Sequence, residues 1–562
     1  MRVEDIHNRR ERYTYYLQNS SGIEATDIRE IDALNGQAGF STKVYHGNQT
    51  TIDNDEGNEF SLPIGSFRNS DNELEVVRIN NLSNGLIVGP TGSGKSQGIL
   101  CNTIMNCDGK ESVIVIDIKG DICRNTYFAS TKIWGEENTH VVNFSEPEFS
   151  NVHINDIQEL AVEWDKGRKL RGLARDAAWN EVVSKLRKIL KETFPIPEQT
   201  KDISWYTIPI NQFWYPLIIG MLEDMSLTKA EEKKTGRIKT TPEMFNYVSI
   251  CKIADEIQLS GGGYRNKVND KGWFSKRSTS SEAYKKSYAL LHNANSTLAN
   301  YAGFIEEQKY MISNPKIQAI NITNTLDIDK MTEVPGIYYI ITDICDTELI
   351  DYTNKIMTQI CRTLLEKSHT SENTKGKVPV LLLMDEFPTI CKNAPDVYPR
   401  LLTTGRGSGI FLHMYVQSLS QLRERYGNEY QTLKDNCNMF VFLGTNDVIT
   451  AKEFSDDIGK TSIIDQAAFS KGEFAFTTVP AITQDVLLHR MKPGEAYIKL
   501  FEQMPIHTRF EFFYKTLEFT KYPKAKKTDY IKNAKKVDIE SFVYDAPWMH
   551  SIKDEDDDED LF

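Results

Sequence analysis

The sequence has few features of secreted, metal-binding or membrane proteins. Its eight cysteines are scattered singly from Cys101 to Cys437 without a CxxC pair, and its ten histidines form no cluster. Neither a disulfide framework nor a zinc site is therefore expected, and the cysteine usage favours a reducing, cytoplasmic environment. No window approaches the run of about 18 apolar residues that crosses a bilayer, and the first eighty residues contain no signal or anchor segment. We therefore expect a soluble chain.

The composition is that of a folded protein with several domains. The chain has 562 residues, of which 40% are hydrophobic and 26% charged. At roughly 100–200 residues per domain, this length predicts about three to four structural units. The 79 acidic and 66 basic residues leave a net charge of −13. That balance argues against a protein coated overall by nucleic acid, but it leaves room for a local basic patch.

Short apolar runs alternate with helical or turn segments in two stretches of the chain, a pattern typical of a parallel α/β sheet. The runs are Gly85–Val88, Ser112–Ile116, His140–Phe144, Gly336–Thr342, Val380–Met384, Ile410–Val416, Met439–Leu443 and Ala496–Leu500. Between the two stretches, helical spacing dominates, as in Glu159–Phe194, and predicts an all-helical insertion. Within this insertion, the charged segment Lys229–Lys239 indicates a solvated linker.

The strongest motif is GPTGSGKS, which follows the first apolar run and satisfies the phosphate-loop pattern GxxxxGK[ST]. Its residues are Gly89, Pro90, Thr91, Gly92, Ser93, Gly94, Lys95 and Ser96. The glycines allow successive backbone N–H groups to converge on phosphate oxygens at the start of a helix. Lys95 is predicted to neutralise the β- and γ-phosphates, and the hydroxyl of Ser96 to ligate magnesium. The motif therefore predicts binding of ATP and Mg²⁺; a glycine-rich connecting turn is the alternative.

A second motif, VLLLMDEF, places two carboxylates directly after the apolar run Val380–Met384. Asp385 is predicted to lie near the magnesium ion, and Glu386 to orient and deprotonate the attacking water. Alone, this pattern is equally compatible with a strand that ends in a solvated turn. Together with the phosphate loop, it predicts an ATPase rather than a passive nucleotide switch.

Two further candidates lie near the run Ile410–Val416. Gln417 follows this run and is predicted to contact the γ-phosphate through water, since ligands bind beyond the carboxyl ends of parallel strands. Arg406, which lies between two glycines, is the preferred candidate for an arginine that enters a neighbouring subunit's site; Arg400 is the other. A surface glutamine and an intramolecular ion pair are the respective alternatives.

Several segments together resemble the TraG/TraD family of type IV coupling proteins. They are GPTGSGKS, VIDIKGD, NITNTLDID, LLLMDEFPT, TTGRGSGIFLHMYVQSLSQL and FLGTND, in an order that spans about residues 80–515. The resemblance implies a RecA-like P-loop NTPase whose mainly parallel sheet is flanked by helices, with an inserted all-α domain. It also implies a DNA-translocating hexamer that uses ATP to deliver single-stranded, relaxase-bound DNA to a conjugative type IV secretion channel.

The sequence departs from that family at two places. Family members usually begin with transmembrane helices, whereas this chain has none, so we expect membrane-embedded channel components to supply the anchor. The expected location is then cytoplasmic, peripheral at the inner face of the cell membrane. The family segment that often reads DPKGE is here Asp117–Asp121. The resemblance implies a position near the nucleotide for Asp117 and Lys119.

These patterns predict five segments. Residues 1–80 form a polar N-terminal segment, 81–157 and 313–523 form the two parts of the nucleotide-binding domain, 158–312 form the all-α insertion, and 524–562 form a charged tail. The tail carries six lysines within Lys524–Lys536 and seven consecutive acids, Asp554–Asp560. Such blocks of like charge remain extended. The acidic run is a candidate for docking a basic relaxosome protein, with a solubility tail as the alternative.

One basic and aromatic cluster in the insertion is a candidate DNA contact. It consists of Arg265, Lys267, Lys271, Lys276 and Arg277 around Trp273 and Phe274. The cations could hold phosphates while a ring stacks on a base. A solvated loop over a core tryptophan is the favoured alternative.

Three other functions remain open at the level of sequence. One is a DNA translocase that resembles FtsK or HerA and has no secretion partner. Another is an adaptor in which nucleotide gates cargo binding without hydrolysis. The third is a coupling protein with protein cargo.

Overall fold

The structure is a computed structural model, and it describes most of the chain between residues 28 and 545. The described ranges are 28–34, 37, 40–44, 61–80, 82–196, 200–257, 272–293, 295–370, 378–391, 397–464, 476–501, 503–515, 522–532, 534 and 542–545. The chain divides into two compact units. The first, here the sheet unit, comprises 1–140, 328–340 and 358–526; the second, the helical unit, comprises 141–327, 341–357 and 527–562. The five-segment division remains a prediction.

The strands form one large sheet and two small ones. In chain order they are β1 (Arg29–Glu30), β2 (Phe40–Val44), β3 (Leu62–Arg68), β4 (Leu74–Ile79), β5 (Gly85–Val88), β6 (Ser112–Asp117), β7 (Thr139–Asn143), β8 (Ile337–Ile341), β9 (Val380–Met384), β10 (Ile410–Val416), β11 (Met439–Phe442), β12 (Lys460–Ile464), β13 (Phe476–Pro480), β14 (Glu495–Leu500) and β15 (Ile506–Arg509). The large sheet has the order β1-β15-β14-β11-β5-β10-β9-β6-β8-β7, while β2-β4-β3 and β12-β13 form the small ones.

The centre of the large sheet is parallel. Strand β10 pairs in parallel with β5 and β9, β9 with β6, and β5 with β11, whereas β14 is antiparallel to β11 and β15. Every residue of β5, β6, β9 and β10 is buried. Such continuous apolar runs are expected where helices cover both faces of a parallel sheet. The predicted α/β fold with a mainly parallel sheet is confirmed.

The helices complete this architecture. The α-helices are Cys101–Met105, Asp121–Ile133, Asp156–Gly167, Leu173–Thr193, Ser204–Pro209, Tyr215–Asp224, Lys229–Thr235, Tyr247–Glu256, Glu282–Leu291, Asn295–Ile312, Pro315–Ile320, Thr347–Thr370, Phe387–Ile390, Val397–Thr404, Leu419–Tyr426, Tyr430–Asp435, Val448–Ile458, Gln484–His489 and Lys527–Tyr530. Two π-helical segments, Lys95–Leu100 and Ile210–Trp214, lead into α-helices. Between β7 and β8, no described residue lies in a strand.

One local expectation was wrong. The segment predicted as a solvated linker begins with the helix Lys229–Thr235, because Thr228 and Glu231 form a capping box that supplies partners for the first N–H groups. The N-terminal segment, which was predicted to be polar, contains four strands among its described residues. Arg78 of β4 bonds the backbone carbonyls of Ser61 and Asn106, which helps to fix this small sheet.

The strand register places the ends of three distant segments side by side. Val88 of β5 pairs with Val416 of β10, and Met384 of β9 pairs with Met414 of β10. Because these strands are parallel, the residues that follow them emerge at the same edge of the sheet. The register therefore brings the phosphate loop, the acid pair and Gln417 to one edge.

Candidate nucleotide-binding site

The phosphate loop connects β5 to a helix that begins at Lys95. Gly92 and Gly94 have φ values of 82° and 103°, a conformation that side chains other than glycine disfavour. A Cβ at Gly89 would lie 2.5 Å from the Oγ of Ser93, so the loop is also too tight for a side chain there. These glycines let the loop close over the start of the helix, where free N–H groups favour an anion.

Lys95 is buried beneath the loop. Its Nζ donates to the carbonyl oxygens of Gly89 and Pro90, which fold the side chain back along the loop. Burial lowers the pKa of Lys95, and the charges of Glu386 and Asp385 partly offset that effect. The ammonium is thus held beside two carboxylates and under the phosphate loop.

Ser96 and Asp385 meet across the sheet edge. The hydroxyl of Ser96 lies 3.3 and 3.2 Å from the two carboxylate oxygens of Asp385. Asp385 is buried, and burial raises its pKa to about 7, with a further contribution from the charges of Glu386 and Asp117. A hydroxyl and a carboxylate are the hard oxygen ligands that Mg²⁺ uses together with substrate phosphates and water. Among the described residues, no three His, Cys, Asp or Glu side chains form a group that could hold a metal ion.

Glu386 has a backbone conformation that is rare for its residue type. Its φ and ψ angles are 50° and 45°, in the left-handed region, and it directly precedes the short helix Phe387–Ile390. Such a conformation costs of order 1–3 kcal/mol and occurs preferentially at functional sites. Its carboxylate accepts two hydrogen bonds from the side-chain amide of Gln417, both 3.1 Å long. The structure thus joins the predicted base to the predicted phosphate sensor.

Asp117 and Lys119 also reach the site. Both line the same cavity as the loop, and Asp117 accepts hydrogen bonds from the backbone N–H groups of Cys123, at 2.8 Å, and Lys119, at 3.3 Å. Burial raises the pKa of Asp117 to about 6. The carboxylate thereby fixes the turn before the helix Asp121–Ile133.

The side chains surround a cavity of about 250 Å³ at the carboxyl edge of the sheet. Its lining includes the loop residues Pro90–Gly92 and Gly94–Gln97, both carboxylates of the acid pair, and Phe512. Sequence analysis did not identify Phe512. It comes from the segment after β15, which follows the P-loop by more than four hundred residues and carries no motif.

The arginine candidates lie elsewhere. Arg406 is exposed in the turn Gly405–Ser408, which precedes β10, and Arg400 is exposed on the helix before that turn. Ile410 at the start of β10 pairs with Val380 at the start of β9. The turn therefore lies at the amino edge of the sheet, about 20 Å from the carboxyl edge at the usual rise per residue. Neither arginine lines the cavity of its own chain.

The candidate DNA cluster is only partly within the described residues. Arg265, Lys267 and Lys271 lie outside them. Trp273 and Phe274 are 1% and 0% exposed, and Arg277 makes a two-pronged ion pair with Asp224 at 2.8 and 2.9 Å. The aromatic rings therefore belong to the core of the helical unit, in agreement with the favoured alternative of a core tryptophan and against base stacking by either ring. The acidic run of the tail also lies outside the described residues.

Comparison with known proteins identifies the family. Residues 30–479 match the family described as type IV secretory system conjugative DNA transfer. No curated protein matches the sequence. Among the described residues, no helix is long and apolar enough to span a membrane.

Similar solved structures include two of the coupling protein TrwB. The bacterial conjugative coupling protein TrwBdeltaN70 has 15% identity and a TM-score of 0.48, covering 76% of this chain and 84% of that one. The plasmid coupling protein TrwB in complex with the ATP analogue ADPNP has 15% identity and a TM-score of 0.47, covering 76% and 85%. VirB4 of Thermoanaerobacter pseudethanolicus has 12% identity and a TM-score of 0.39, covering 81% and 97%. The family match spans most of the sequence, and the chain therefore belongs to the conjugative DNA transfer family of type IV secretory systems.

Proposed function

We propose that this protein is the ATP-driven coupling protein of a conjugative type IV secretion system. It recruits relaxase-bound, single-stranded DNA and delivers it to the transfer channel. The observation that carries the proposal is the contact between Ser96 and Asp385, which unites the phosphate loop with an acid pair 289 residues away in the sequence. Membership of the conjugative DNA transfer family supports the choice of cargo.

Each side chain at the sheet edge has a role in ATP hydrolysis. The loop N–H groups and the ammonium of Lys95 bind the triphosphate and offset its charge. Ser96 and Asp385 would hold Mg²⁺, and the ion would neutralise charge at the phosphates. Glu386 orients the attacking water and accepts its proton, while Gln417 fixes the carboxylate of Glu386.

We propose that a second copy of the chain completes the site. Arg406 lies at the opposite edge of the sheet from its own cavity, which supports a role in the cavity of a neighbouring subunit in a ring. An arginine supplied in this way stabilises negative charge in the transition state. We propose a homohexamer as the active assembly, with Arg406 rather than Arg400 as the residue supplied between subunits.

The family match supports a proposal for the partners. We propose that relaxosome proteins deliver the DNA and that membrane-embedded channel components bind the protein at the inner face of the cell membrane. The buried rings of Trp273 and Phe274 are not assigned to the cargo-binding surface.

The test is phosphate release by the purified full chain, alone and with single-stranded or duplex DNA. Lys95→Ala should abolish release, whereas Lys132→Ala, which removes an exposed lysine from the same unit, should leave it unchanged. Stimulation by DNA and capture of a relaxase support the coupling function. Equal release by the parent protein and Lys95→Ala would refute it, and nucleotide binding without release would favour the adaptor.

A further inference from the structure

Phe512 is the one aromatic side chain among the described residues that line the nucleotide cavity. It lies in the segment after β15 and is partly exposed. The phosphate loop, the acid pair and Asp117 explain how a triphosphate is held, and the apolar lining residues Cys101, Ile118 and Ile122 are buried. None of these groups gives the base of a nucleotide an aromatic partner. Phe512 supplies one.

The ring lies against the outer turn of the phosphate loop. A Cβ built on Gly94 would be 3.0 Å from Cε1 of Phe512 and 3.5 Å from its Cζ. The glycine at this position thus serves two purposes, since it has a φ of 103° and also leaves room for the ring. Phe512 is therefore next to the loop that receives the phosphates, within the reach of a nucleoside attached to them.

The segment that carries the ring is held in place on both sides. The side-chain amide of Asn102 donates to the carbonyl of Glu511 at 2.6 Å, and the N–H of Phe510 donates to the carbonyl of Gly494 at 2.8 Å. Phe513 is 2% exposed and anchors the segment in the core. Tyr514 stacks on Phe512 with ring centroids 5.4 Å apart and an angle of 15° between the planes. The ring pair is thus pre-positioned beside the cavity.

We propose that Phe512, backed by Tyr514, is the platform on which the nucleobase stacks, and that it accepts adenine and guanine with little preference. This inference rests on the proposed function, because it requires that the phosphate loop bind a nucleoside triphosphate. Stacking uses the π-face that every base has, whereas discrimination between purines needs hydrogen bonds to the base edge. The platform itself provides only ring faces.

The experiment measures competition for the site in the full chain with Mg²⁺, using ATP, GTP and inorganic tripolyphosphate, which lacks a base. Phe512→Ala should lower the affinity for ATP and GTP by roughly ten-fold or more, which is the usual effect of removing a stacking ring. The affinity for tripolyphosphate should not change. Phe512→Trp should retain binding of both nucleotides. Phe501→Ala removes an aromatic side chain that is 69% exposed in the same unit and should change neither affinity.

The outcomes separate this inference from the proposed function. If the parent protein binds neither ATP nor tripolyphosphate, the assignment of the phosphate loop itself fails. If both bind and Phe512→Ala affects them equally or not at all, the stacking role is wrong while the phosphate site stands. If the parent protein binds ATP about a hundred-fold more tightly than GTP, the proposed lack of preference between the two bases is wrong.

Discussion

The side-chain amide of Gln417 donates to both carboxylate oxygens of Glu386, at 3.1 Å each. Gln417 was expected to contact the γ-phosphate through water, but its direct partner is the residue proposed to activate that water. The two proposed roles are compatible, because a base held by an amide keeps its orientation as nucleotide enters. We propose that Gln417 positions the carboxylate of Glu386 through these two hydrogen bonds.

Glu386→Gln is expected to retain ATP binding and to lose at least about a hundred-fold in turnover, the usual effect of removing a general base. The neutral amide has nearly the same shape but cannot accept the proton of the attacking water. Single-turnover phosphate release and equilibrium ATP binding measure the two quantities separately. Glu424→Gln removes an exposed carboxylate from the neighbouring helix and should be neutral. Parental turnover in Glu386→Gln would remove the residue from the mechanism.

Asp385→Asn is expected to raise the Mg²⁺ concentration needed for half-maximal activity by about ten- to a hundred-fold, the range found when groups around a metal are altered. The reason is the loss of the charge that faces the Ser96 hydroxyl. Titration of phosphate release with Mg²⁺ at saturating ATP provides the measurement. Asp456→Asn, an exposed substitution in the same unit, is the matched control. An unchanged Mg²⁺ requirement would contradict the assignment of Asp385.

Arg406→Ala and Glu386→Gln are each expected to be inactive alone and to regain activity when mixed. A mixed ring contains interfaces in which one subunit supplies Glu386 and its neighbour supplies Arg406. Phosphate release after co-assembly at varied ratios should therefore pass through a maximum. Arg400→Ala is the control, since it removes the other exposed arginine before the same strand. No recovery in mixed rings would mean that Arg406 does not act between subunits.

The site residues that follow β5, β9 and β10 could be predicted from the sequence, whereas Phe512 could not. The bounds of β5, β9 and β10 agree with the predicted runs, because fully buried parallel strands are predominantly apolar in sequence. The residues after these strands could then be placed by the rule that parallel strands share a carboxyl edge. The motif and the strand pattern together were sufficient to predict that Ser96 and Asp385 lie close to each other.

The position of Phe512 and the strands of the N-terminal segment could not be predicted from motifs or strand patterns. The platform depends on contacts such as that between Asn102 and Glu511, which join segments 409 residues apart and leave no local signal. Strand β3 contains Pro63 and Gly65, both unfavourable in strand interiors, and its pairing with β4 shifts register there. The left-handed conformation of Glu386 is likewise imposed by its tertiary surroundings, because no local sequence rule predicts φ of 50° for glutamate.

Acid is expected to destabilise the sheet unit through His413, which is buried in β10 with its Nε2 3.0 Å from the carbonyl of Ser83. Burial lowers its pKa from 6.5 to about 4. Between these two pH values, His413 is protonated in the unfolded chain but stays neutral in the folded chain. The free energy of unfolding therefore falls as the pH drops below 6.5, and it stops falling near pH 4. Over the whole window, the loss is about 3 kcal/mol.

The measurement is urea unfolding at pH 7.5 and at pH 5. His413→Gln, whose amide can still donate to Ser83, should lose about 2 kcal/mol less than the parent protein between the two pH values. His489→Gln removes an exposed histidine and should behave like the parent. If His413→Gln and the parent lose the same amount, the buried imidazole is not the cause.

The order of strands across the centre of the sheet has a consequence for biosynthesis. Strand β5 lies between β10 and β11, both of which are made long after it. At about 5–20 residues per second, the ribosome needs roughly 15–60 s to extend the chain from Ser96 to Asp385. During that interval the nascent phosphate loop lacks Asp385 and Glu386, so the proposed site of ATP hydrolysis is incomplete until most of the chain has been translated.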